Sequence, residues 1–288
     1  MSDHHPLDLH AYLDRLGYAS APPSTLETLR ELQLRHTAEF PFETLSTMLR
    51  TPVPIDPATV QDKLLRQGRG GYCYELNQLF LLLLRELGFE ARGLTGRVVM
   101  GGPEDALPAR THMLLLVTVA GVRYIVDVGF GGQVPTAPLL LDSEAEQATP
   151  HEPYRLTLVD GTYTLRALVS GSWRALYVFD LQVAADIDYE VGSWYVSTHP
   201  DSPFLGQLVV ARTGHGLRKT LSNGSFAIHR LGEESQRIQL RDVEAVLRVL
   251  RVEFGIRVPS HPELEPTIAR LLADAPQAQG SDAPASCP

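Results

Sequence analysis

The sequence predicts an α+β protein of several domains, in which a helical N-terminal part is followed by an antiparallel sheet and then by a mixed segment. Hydrophobic residues recur with the helical period of 3.6 up to about residue 90, and with the strand period of two beyond it. A chain of 288 residues with 44% hydrophobic residues can bury a full core. We therefore expect domains at 1–90, 91–200 and 201–273, with a disordered tail at 274–288.

The first 90 residues are predicted to form a helical domain. A short helix is expected over residues 7–16, and a second begins with the capping sequence at 24–27 and runs to about Thr37. Residues 40–43 interrupt it, because Pro41 disfavours helix in the residue before it. A third helix is expected over 56–68, with Pro57 in its first turn. The last helix starts at Cys73 and stops near Gly88.

Residues 91–200 are predicted to form an antiparallel sheet or a small barrel. The turn sequences Ala120-Gly121 and Asp160-Gly161 indicate tight hairpins. Strands are expected at 91–100, 112–119, 122–128, 154–159, 162–169 and 173–179. Residues 184–197 fit a helix or a strand equally, and we treat them as a connection.

Residues 201–273 are predicted to form a third, α+β segment. Short strands are expected at 207–212, 217–221, 225–231 and 237–240. An amphipathic helix follows at 243–254, and a last short helix covers 262–273. The segment is therefore expected to mix short strands with two helices.

Composition excludes several classes of protein. The net charge of −9 argues against nucleic acid as a general partner. No run of 18 apolar residues occurs, and residues 1–6 lack a signal pattern, so we expect no membrane partner and a cytoplasmic location. Cys73 and Cys287 form neither a metal-ligand cluster nor a disulfide framework, so no metal is expected.

Cys73 is the candidate nucleophile. The pair Gly70-Gly71 precedes it, and it lies in the first turn of an apolar helix. Unpaired N–H groups and the helix dipole favour an anion there by about 0.3–1 kcal/mol. A thiolate at neutral pH would need an imidazolium partner as well. The alternative is a buried structural cysteine, since free cysteine is among the most buried residues.

His112 and Asp127 are the candidate partners of the thiol. A symmetric turn at Ala120-Gly121 makes them diagonal neighbours on one face of a hairpin, with backbone positions roughly 7–8 Å apart. The carboxylate could then fix the imidazole tautomer and leave one nitrogen for the thiol. A one-residue slip would separate them, and each alone could be a core or turn residue. Their contact with Cys73 does not follow from spacing.

Three stretches resemble signatures of the arylamine N-acetyltransferases. They are residues 69–77 (RGGYCYELN), 111–117 (THMLLLV) and 127–132 (DVGFGG). Residues 40–45 and 197–204 are similar to two further family blocks, so that the resemblance covers about residues 5–260. Two residues depart from the pattern, because Thr44 stands where the family usually has Asn and Tyr72 where it usually has Phe. Both departures bear on substrate preference rather than on the chemistry.

The resemblance implies a helical bundle, a β-barrel and an α/β lid around a cysteine-protease-like Cys-His-Asp site. It also implies xenobiotic metabolism by ping-pong transfer of acetyl from acetyl-coenzyme A, as co-substrate, to a small aromatic amine or hydrazine. Cys73 would carry the acetyl group, His112 would move protons and Asp127 would orient His112. No prosthetic group is implied.

Further residues are expected to hold the two substrates. Aromatic side chains could form the walls of a water-restricted acceptor pocket, with ordinary core packing as the alternative: Phe42, Tyr72, Phe130 and Phe204. By the resemblance, three residues line the cofactor cleft: Thr111, Gly131 and His229. The anionic coenzyme needs a basic patch, for which four residues of the third segment are candidates: Arg212, Arg218, Lys219 and Arg230.

Three other functions remain open at this point. The same Cys, His, Asp order serves a cysteine hydrolase or a transglutaminase-like enzyme. An amide synthase taking a longer acyl chain is a second alternative. A non-catalytic binding module is the third, although an intact set of Cys73, His112 and Asp127 argues against it.

Overall fold

The computed structural model describes residues 7–274. The tail predicted to be disordered therefore lies outside the described residues, except for Asp274. Among the described helices, none is long and apolar enough to cross a membrane.

The N-terminal part is helical, with one short strand. Its elements are α1 (Leu9–Arg15), α2 (Leu26–Glu39), β1 (Phe42–Glu43), α3 (Leu45–Met48), α4 (Pro57–Gln61), which continues as a π-helical turn (Asp62–Arg66), and α5 (Cys73–Glu86). The hydroxyl of Thr25 accepts from the backbone N–H of Thr28 at 3.2 Å, so Thr25 caps α2. The capping sequence was predicted one residue too early, because Thr28 rather than Glu27 occupies the third helical position.

The middle part is one antiparallel sheet. Its strands are β2 (Glu90–Val98), β3 (Arg110–Val119), β4 (Val122–Val126), β5 (Leu139–Leu140), β6 (Tyr154–Val159), β7 (Thr162–Val169) and β8 (Ser172–Phe179), in the order β5-β4-β3-β2-β8-β7-β6.

Gln147 bridges the two edges of this sheet. Its backbone pairs with Tyr154 of β6 through hydrogen bonds of 2.7 and 2.9 Å. Its side-chain amide accepts from the N–H of Leu140 at 2.7 Å and donates to the carbonyl of Leu140 at 3.0 Å. Backbone hydrogen-bonding groups of Leu140 and Tyr154 at the two edges thereby find partners, and the sheet is nearly closed into a barrel.

The segment treated as a connection is a helix, α6 (Asp186–Thr198). The carboxylate of Asp188 accepts from the N–H of Ala185 at 2.8 Å and caps its start. Tyr189 and Val196 face the core, whereas Val191 and other apolar residues face outward. The prediction failed because apolar residues on both faces hide the helical period.

The C-terminal part is a second sheet covered by helices. Its elements are β9 (Val209–Gly214), β10 (Leu217–Ser222), β11 (Ser225–Arg230), β12 (Gln236–Gln239), α7 (Val243–Val252) and α8 (Leu264–Ala273). The sheet order is β1-β9-β10-β11-β12, with Phe42 of β1 opposite Ala211 of β9. The segment predicted only to interrupt a helix is therefore also the edge strand of this sheet.

Strand β3 joins two hydrophobic cores. Met113 and Leu115 pack with the N-terminal helices, while Leu114 and Leu116 belong to the core enclosed by the barrel sheet. Successive strand residues point to opposite faces, which explains the division. This strand fixes the position of α5 against the barrel, where the candidate site lies.

Candidate active site

Cys73 is the first residue of α5. Tyr72 before it is extended, and its N–H donates to the carboxylate of Glu75 at 3.1 Å, which caps the helix. The Cys73 thiol is buried and forms no disulfide bond within the described residues. Its sulfur lies 3.7 Å from the carbonyl oxygen of Thr111. The thiol therefore faces the beginning of β3 from the positive end of a helix.

The hairpin of β3 and β4 has the predicted register. Val119 pairs with Val122 and Leu115 with Val126, so the next residues bring His112 and Asp127 to one face. The Nε2 atom of His112 lies 2.7 Å from Oδ2 of Asp127, and both side chains are buried. The diagonal pairing expected from the turn is confirmed.

The protonation of His112 depends on its neighbours. Burial alone would lower the pKa of His112, because it penalises the charged form. The charge and hydrogen bond of Asp127, together with a hydrogen bond to Cys73, outweigh burial and raise that pKa to about 10. His112 is therefore an imidazolium at neutral pH. Because Nε2 is bonded to Asp127, Nδ1 is left for Cys73.

Asp127 is held in its ionised form by four donors. Its Oδ2 accepts from His112 and from the hydroxyl of Tyr177 at 3.0 Å. Its Oδ1 accepts from Nδ2 of Asn77 at 3.0 Å and from the N–H of Gly129 at 2.8 Å. Burial would raise the pKa of Asp127, but the His112 charge and the hydrogen bonds from His112, Asn77 and Gly129 hold it below its usual value.

Gly129 allows the loop after β4 to lie against α5. A Cβ atom at this position would lie 2.7 Å from Cα of Cys73 and 2.7 Å from Nδ2 of Asn77. Only a residue without a side chain fits such a close approach.

No group of three or more potential metal ligands occurs within residues 7–274. The site thus combines a thiol, an imidazolium and a carboxylate, the groups used in nucleophilic acyl transfer.

Comparison with known proteins gives a consistent result. A family model described as N-acetyltransferase matches residues 25–262. The arylamine N-acetyltransferase of Mycobacterium tuberculosis is 45% identical, over 96% of this chain and 99% of its own length. The chain belongs to the arylamine N-acetyltransferase family.

Solved structures of this family agree in fold. A Mycobacterium smegmatis arylamine N-acetyltransferase superposes with a TM-score of 0.89 at 42% identity, covering 92% of this chain and 99% of the other. The Mycobacterium marinum enzyme in complex with CoA gives a TM-score of 0.87 at 42% identity, over 92% and 99% of the two chains. The predicted family and the predicted α+β fold are confirmed.

Both departures from the family pattern make tertiary contacts. The hydroxyl of Thr44 donates to the carbonyl of Gln207 at 2.9 Å and accepts from the N–H of Val209 at 2.8 Å, which ties β9 to the N-terminal part. The hydroxyl of Tyr72 hydrogen-bonds the side chain and the carbonyl of Ser193 in α6. The Tyr72 ring is buried, so it holds α6 against the start of α5.

The other predicted aromatic residues lie in two places. Phe130 is 5.0 Å from the His112 ring and 4.9 Å from Tyr177, in edge-on contacts. Phe42 and Phe204 pack together at 5.8 Å, and Phe42 also faces the backbone of Gly131. The first group is next to the imidazolium, whereas the second is at the junction of the two sheets.

The predicted cofactor residues lie on three different elements. The backbone of Thr111 faces the Cys73 sulfur, while Gly131 has a left-handed φ of +64° and starts a short 3₁₀ turn. His229 lies on β11, with Nδ1 2.6 Å from Oγ of Ser235. Burial, then the charges of Arg218 and Arg237, lower the pKa of His229 to about 4. His229 is therefore neutral at physiological pH.

One of the four candidates for the basic patch is separated from the other three. Arg218 is buried and forms an ion pair with Glu152 of the barrel. Lys219 is on the other face of β10, where it pairs with Glu253 at 2.7 Å. Arg212 is directly opposite Lys219, and Arg230 is directly opposite Leu217, so Arg212, Lys219 and Arg230 belong to one face of the sheet. Arg218 belongs to the other face, because neighbours along a strand point to opposite faces.

Three supporting residues were missed. Asn77 also donates to the carbonyl of Met113 at 2.8 Å and accepts from the N–H of Val128 at 3.1 Å, so one amide joins α5 to β3 and to the loop after β4. Gln33 donates to the backbone carbonyl of Asp127 at 3.2 Å, and Tyr177 binds its carboxylate. Asn77 could have been found, because it is a polar residue four positions after Cys73 on the same helix face. Gln33 and Tyr177 carry no comparable signal.

A buried ion pair supports the turn before Cys73. Nη2 of Arg69 lies 2.6 Å from Oε1 of Glu43, and both side chains are almost inaccessible to solvent. The second carboxylate oxygen of Glu43 accepts from the N–H of Leu45 at 2.6 Å. The pair fastens residues 69–72 to β1 and hence to the C-terminal sheet.

Proposed function

We propose that this chain transfers the acetyl group of acetyl-coenzyme A to the nitrogen of an aromatic amine or hydrazine, through an acetyl-Cys73 intermediate. The main support is the contact of the Cys73 thiol, at the start of α5, with His112. Nε2 of His112 in turn lies 2.7 Å from the Asp127 carboxylate. The Mycobacterium marinum arylamine N-acetyltransferase, solved in complex with CoA, supports the same co-substrate.

The first half-reaction acylates the cysteine. The Cys73 thiolate attacks the thioester carbonyl carbon, and a new C–S bond forms. The bond between that carbon and the coenzyme sulfur then breaks, and the imidazolium of His112 gives its proton to the departing thiolate. N–H groups in the first turn of α5 lack intrahelical acceptors, so those near Cys73 are our candidates for stabilising the oxyanion.

The second half-reaction returns the enzyme to its starting state. The amine nitrogen attacks the acetyl carbon, and neutral His112 accepts a proton from that nitrogen. The bond to the Cys73 sulfur breaks, which restores thiolate and imidazolium. Asp127 stabilises the imidazolium in each cycle and fixes its tautomer. Proton balance therefore needs no group beyond these three residues and the substrates.

The substrate contacts are a second part of the proposal. Phe130 supports the idea best, because its ring touches the His112 ring, where an aromatic acceptor would have to come. Phe42 and Phe204 would form the opposite wall, and Tyr72 would support it from behind. Cofactor contacts are assigned to Thr111, Gly131 and His229. The neutral state of His229 makes it a hydrogen-bonding partner rather than a cationic one.

The domain division belongs to the proposal as well. We infer a helical unit at 1–90 that supplies Cys73, a barrel at 91–200 that supplies His112 and Asp127, and a lid at 201–273. A hydrophobic core formed mainly by β9 to β11 with α7 and α8, to which Leu45 and Met48 of α3 also contribute, supports this division. A cytoplasmic location is also proposed, since a free Cys73 thiol suits a reducing compartment.

Product analysis tests the proposal against its alternatives. The protein is mixed with acetyl-coenzyme A and an aromatic amine such as an anisidine, and the products are separated by chromatography. We expect N-acetylated amine in amounts equal to the free coenzyme A formed. Release of free acetate without acetylated amine would favour a hydrolase, and reaction only with longer acyl thioesters would favour an amide synthase.

A further inference from the structure

The outer face of α6 carries an exposed apolar stripe. Ile187, Val191 and Trp194 are 59%, 59% and 65% exposed. Their spacing of four and three residues places them in one row on the helix. Single exposed apolar residues are ordinary, whereas a continuous row marks a surface that meets another molecule. The opposite face of α6 is fully used, because Tyr189 and Val196 are buried against the core.

An apolar groove runs beside this stripe. It has a volume of about 690 Å³ and lies between residues 50–56 and α6. Its apolar walls include Val53, Ile55 and Leu205, and Trp194 forms its outer edge. The stripe and the groove therefore lie next to each other on one side of the molecule. Cys73, His112 and Asp127 are not among the groove residues.

Opposite charges flank the same groove. Arg50 and Asp56 stand on the wall formed by residues 50–56, where Asp56 caps α4, and Glu190 stands on α6, one turn before Trp194. The Arg50 and Glu190 side chains are exposed, and neither has an ion pair within the described part of the chain. Glu190 and Trp194 are therefore about 6 Å apart along the helix axis. An arginine of another molecule that contacts Trp194 can reach Glu190 over this distance.

We propose that this face forms a two-fold symmetric homodimer, in which the stripe of each copy covers the groove of the other. Glu190 of one copy then pairs with Arg50 of the second, and the reverse pair forms across the axis. A two-fold interface uses the same patch twice, so the stripe, the groove, the Arg50 cation and the Glu190 anion must all lie on one face. This face has all four, and antiparallel α6 helices would also align their dipoles favourably.

The amount of surface favours a second copy over a small ligand. A stable interface covers about 800 Å² on each partner. Burial of an aromatic side chain removes about 150–250 Å², so the exposed part of Trp194 offers only about 100–160 Å². The stripe therefore needs the groove walls to reach a sufficient area. A small molecule in the groove would leave Ile187 and Val191 uncovered, whereas a second α6 covers both.

Sedimentation velocity on the full-length chain tests the dimer. We expect a monomer–dimer equilibrium between about 1 and 200 µM. Trp194→Asp should weaken it by at least about 30-fold, as expected for an aromatic side chain at the centre of an interface. Leu231→Asp is the matched control, because Leu231 is 54% exposed on a different part of the surface. Thermal melting and alkylation of Cys73 verify that each variant is folded.

Charge reversal identifies the contact itself. Arg50→Glu and Glu190→Arg should each weaken the dimer by at least about tenfold, because each places like charges together. Mixing the two variants should restore it, since a heterodimer then contains two opposite pairs. A pair formed within one copy could not be restored by mixing.

The opposing outcomes are clear. A wild-type monomer at all concentrations would overturn the proposal. A dimer that survives Trp194→Asp would overturn it too, as would single charge variants that remain dimeric or a mixture that remains monomeric. The acetyl transfer proposed above is measured separately and does not depend on any of these results.

Discussion

Replacement of Asp127 by asparagine would remove one charge from the site while keeping the shape of the side chain. Asp127 accepts four hydrogen bonds in the structure, two at each oxygen. Asparagine has a single acceptor oxygen, and its NH₂ group must therefore face two donors. If the oxygen stays toward the N–H of Gly129, the NH₂ group faces Nε2 of His112 and the hydroxyl of Tyr177.

His112 could relieve this conflict only by changing its tautomer. Nε2 would then accept from the asparagine, and the single proton would move to Nδ1, the atom left for Cys73. An imidazole in that form cannot take up the proton that it must carry during the reaction. The substitution thus removes both the charge that favours imidazolium and the orientation that makes the ring a base.

The expected magnitude follows from the protonation of His112. With a pKa of about 10, the ratio of imidazolium to imidazole at pH 7 is about 1000 to 1. At the ordinary value of 6.5 the ratio is about 1 to 3. The change is on the order of 10³, and the corresponding change in a serine protease triad lowers the rate by about 10⁴. We expect acylation of Cys73 to slow by a factor of about 10³.

The assay is the second-order rate of Cys73 alkylation by iodoacetamide at pH 7, followed by mass spectrometry, in parallel with the rate of acetylation. Asp142→Asn is the matched control, because Asp142 pairs with Arg123 at 2.6 Å on the exposed surface. That variant should react like wild type. A decrease of less than tenfold for folded Asp127→Asn would refute the reasoning, because the carboxylate would then not govern the imidazolium.

Three further predictions concern the support of the site. Arg69→Ala should lower the free energy of unfolding by about 3–5 kcal/mol in urea titrations, since it leaves the Glu43 carboxylate buried without its partner. Gly129→Ala should lose about 1–3 kcal/mol and most acetylation, because the new Cβ would meet the Cys73 backbone at 2.7 Å. The stability that His112 contributes should be complete below about pH 6.5 and decline as pH rises toward about 10, because folding raises its pKa. The stability that Asp127 contributes should decline as the pH falls into the acid range, because folding lowers the pKa of Asp127.

Controls for these predictions are available in the chain. Arg66→Ala removes an exposed arginine whose nearest carboxylates are 3.6 and 3.7 Å away, so stability should change by less than about 1 kcal/mol. Gly102→Ala places a Cβ in ordinary contact only, and should be neutral. His112→Ala should remove the decline of stability between pH 6.5 and 10. Persistence of that decline would assign it to another group.

The hairpin could be predicted because its geometry is local. The turn at Ala120-Gly121 sets the register, and a register together with the pleat places His112 and Asp127 on one face. The position of Cys73 in the first turn of α5 was also readable from the glycine pair and the leucine period. These features depend on residues that are close in the chain.

The failures involve contacts between distant residues. Arg218 was expected on a surface, but Glu152 of the barrel neutralises it inside the protein. Helix α6 was missed because its outer face is apolar as well as its inner face. Nothing in the spacing of residues reports that Tyr177 or Gln33 reaches Asp127. Such pairings are decided by the packing of whole elements, which the local pattern does not contain.

The central claim is that Cys73 carries the acetyl group between the two substrates. Intact-protein mass spectrometry after mixing with acetyl-coenzyme A tests it directly, with peptide mapping to locate the group. We predict one acetyl group on Cys73, removed within one turnover by an aromatic amine or hydrazine, and no such adduct in Cys73→Ala or His112→Ala. Wild type without an adduct, or an undiminished adduct in Cys73→Ala, would contradict the account.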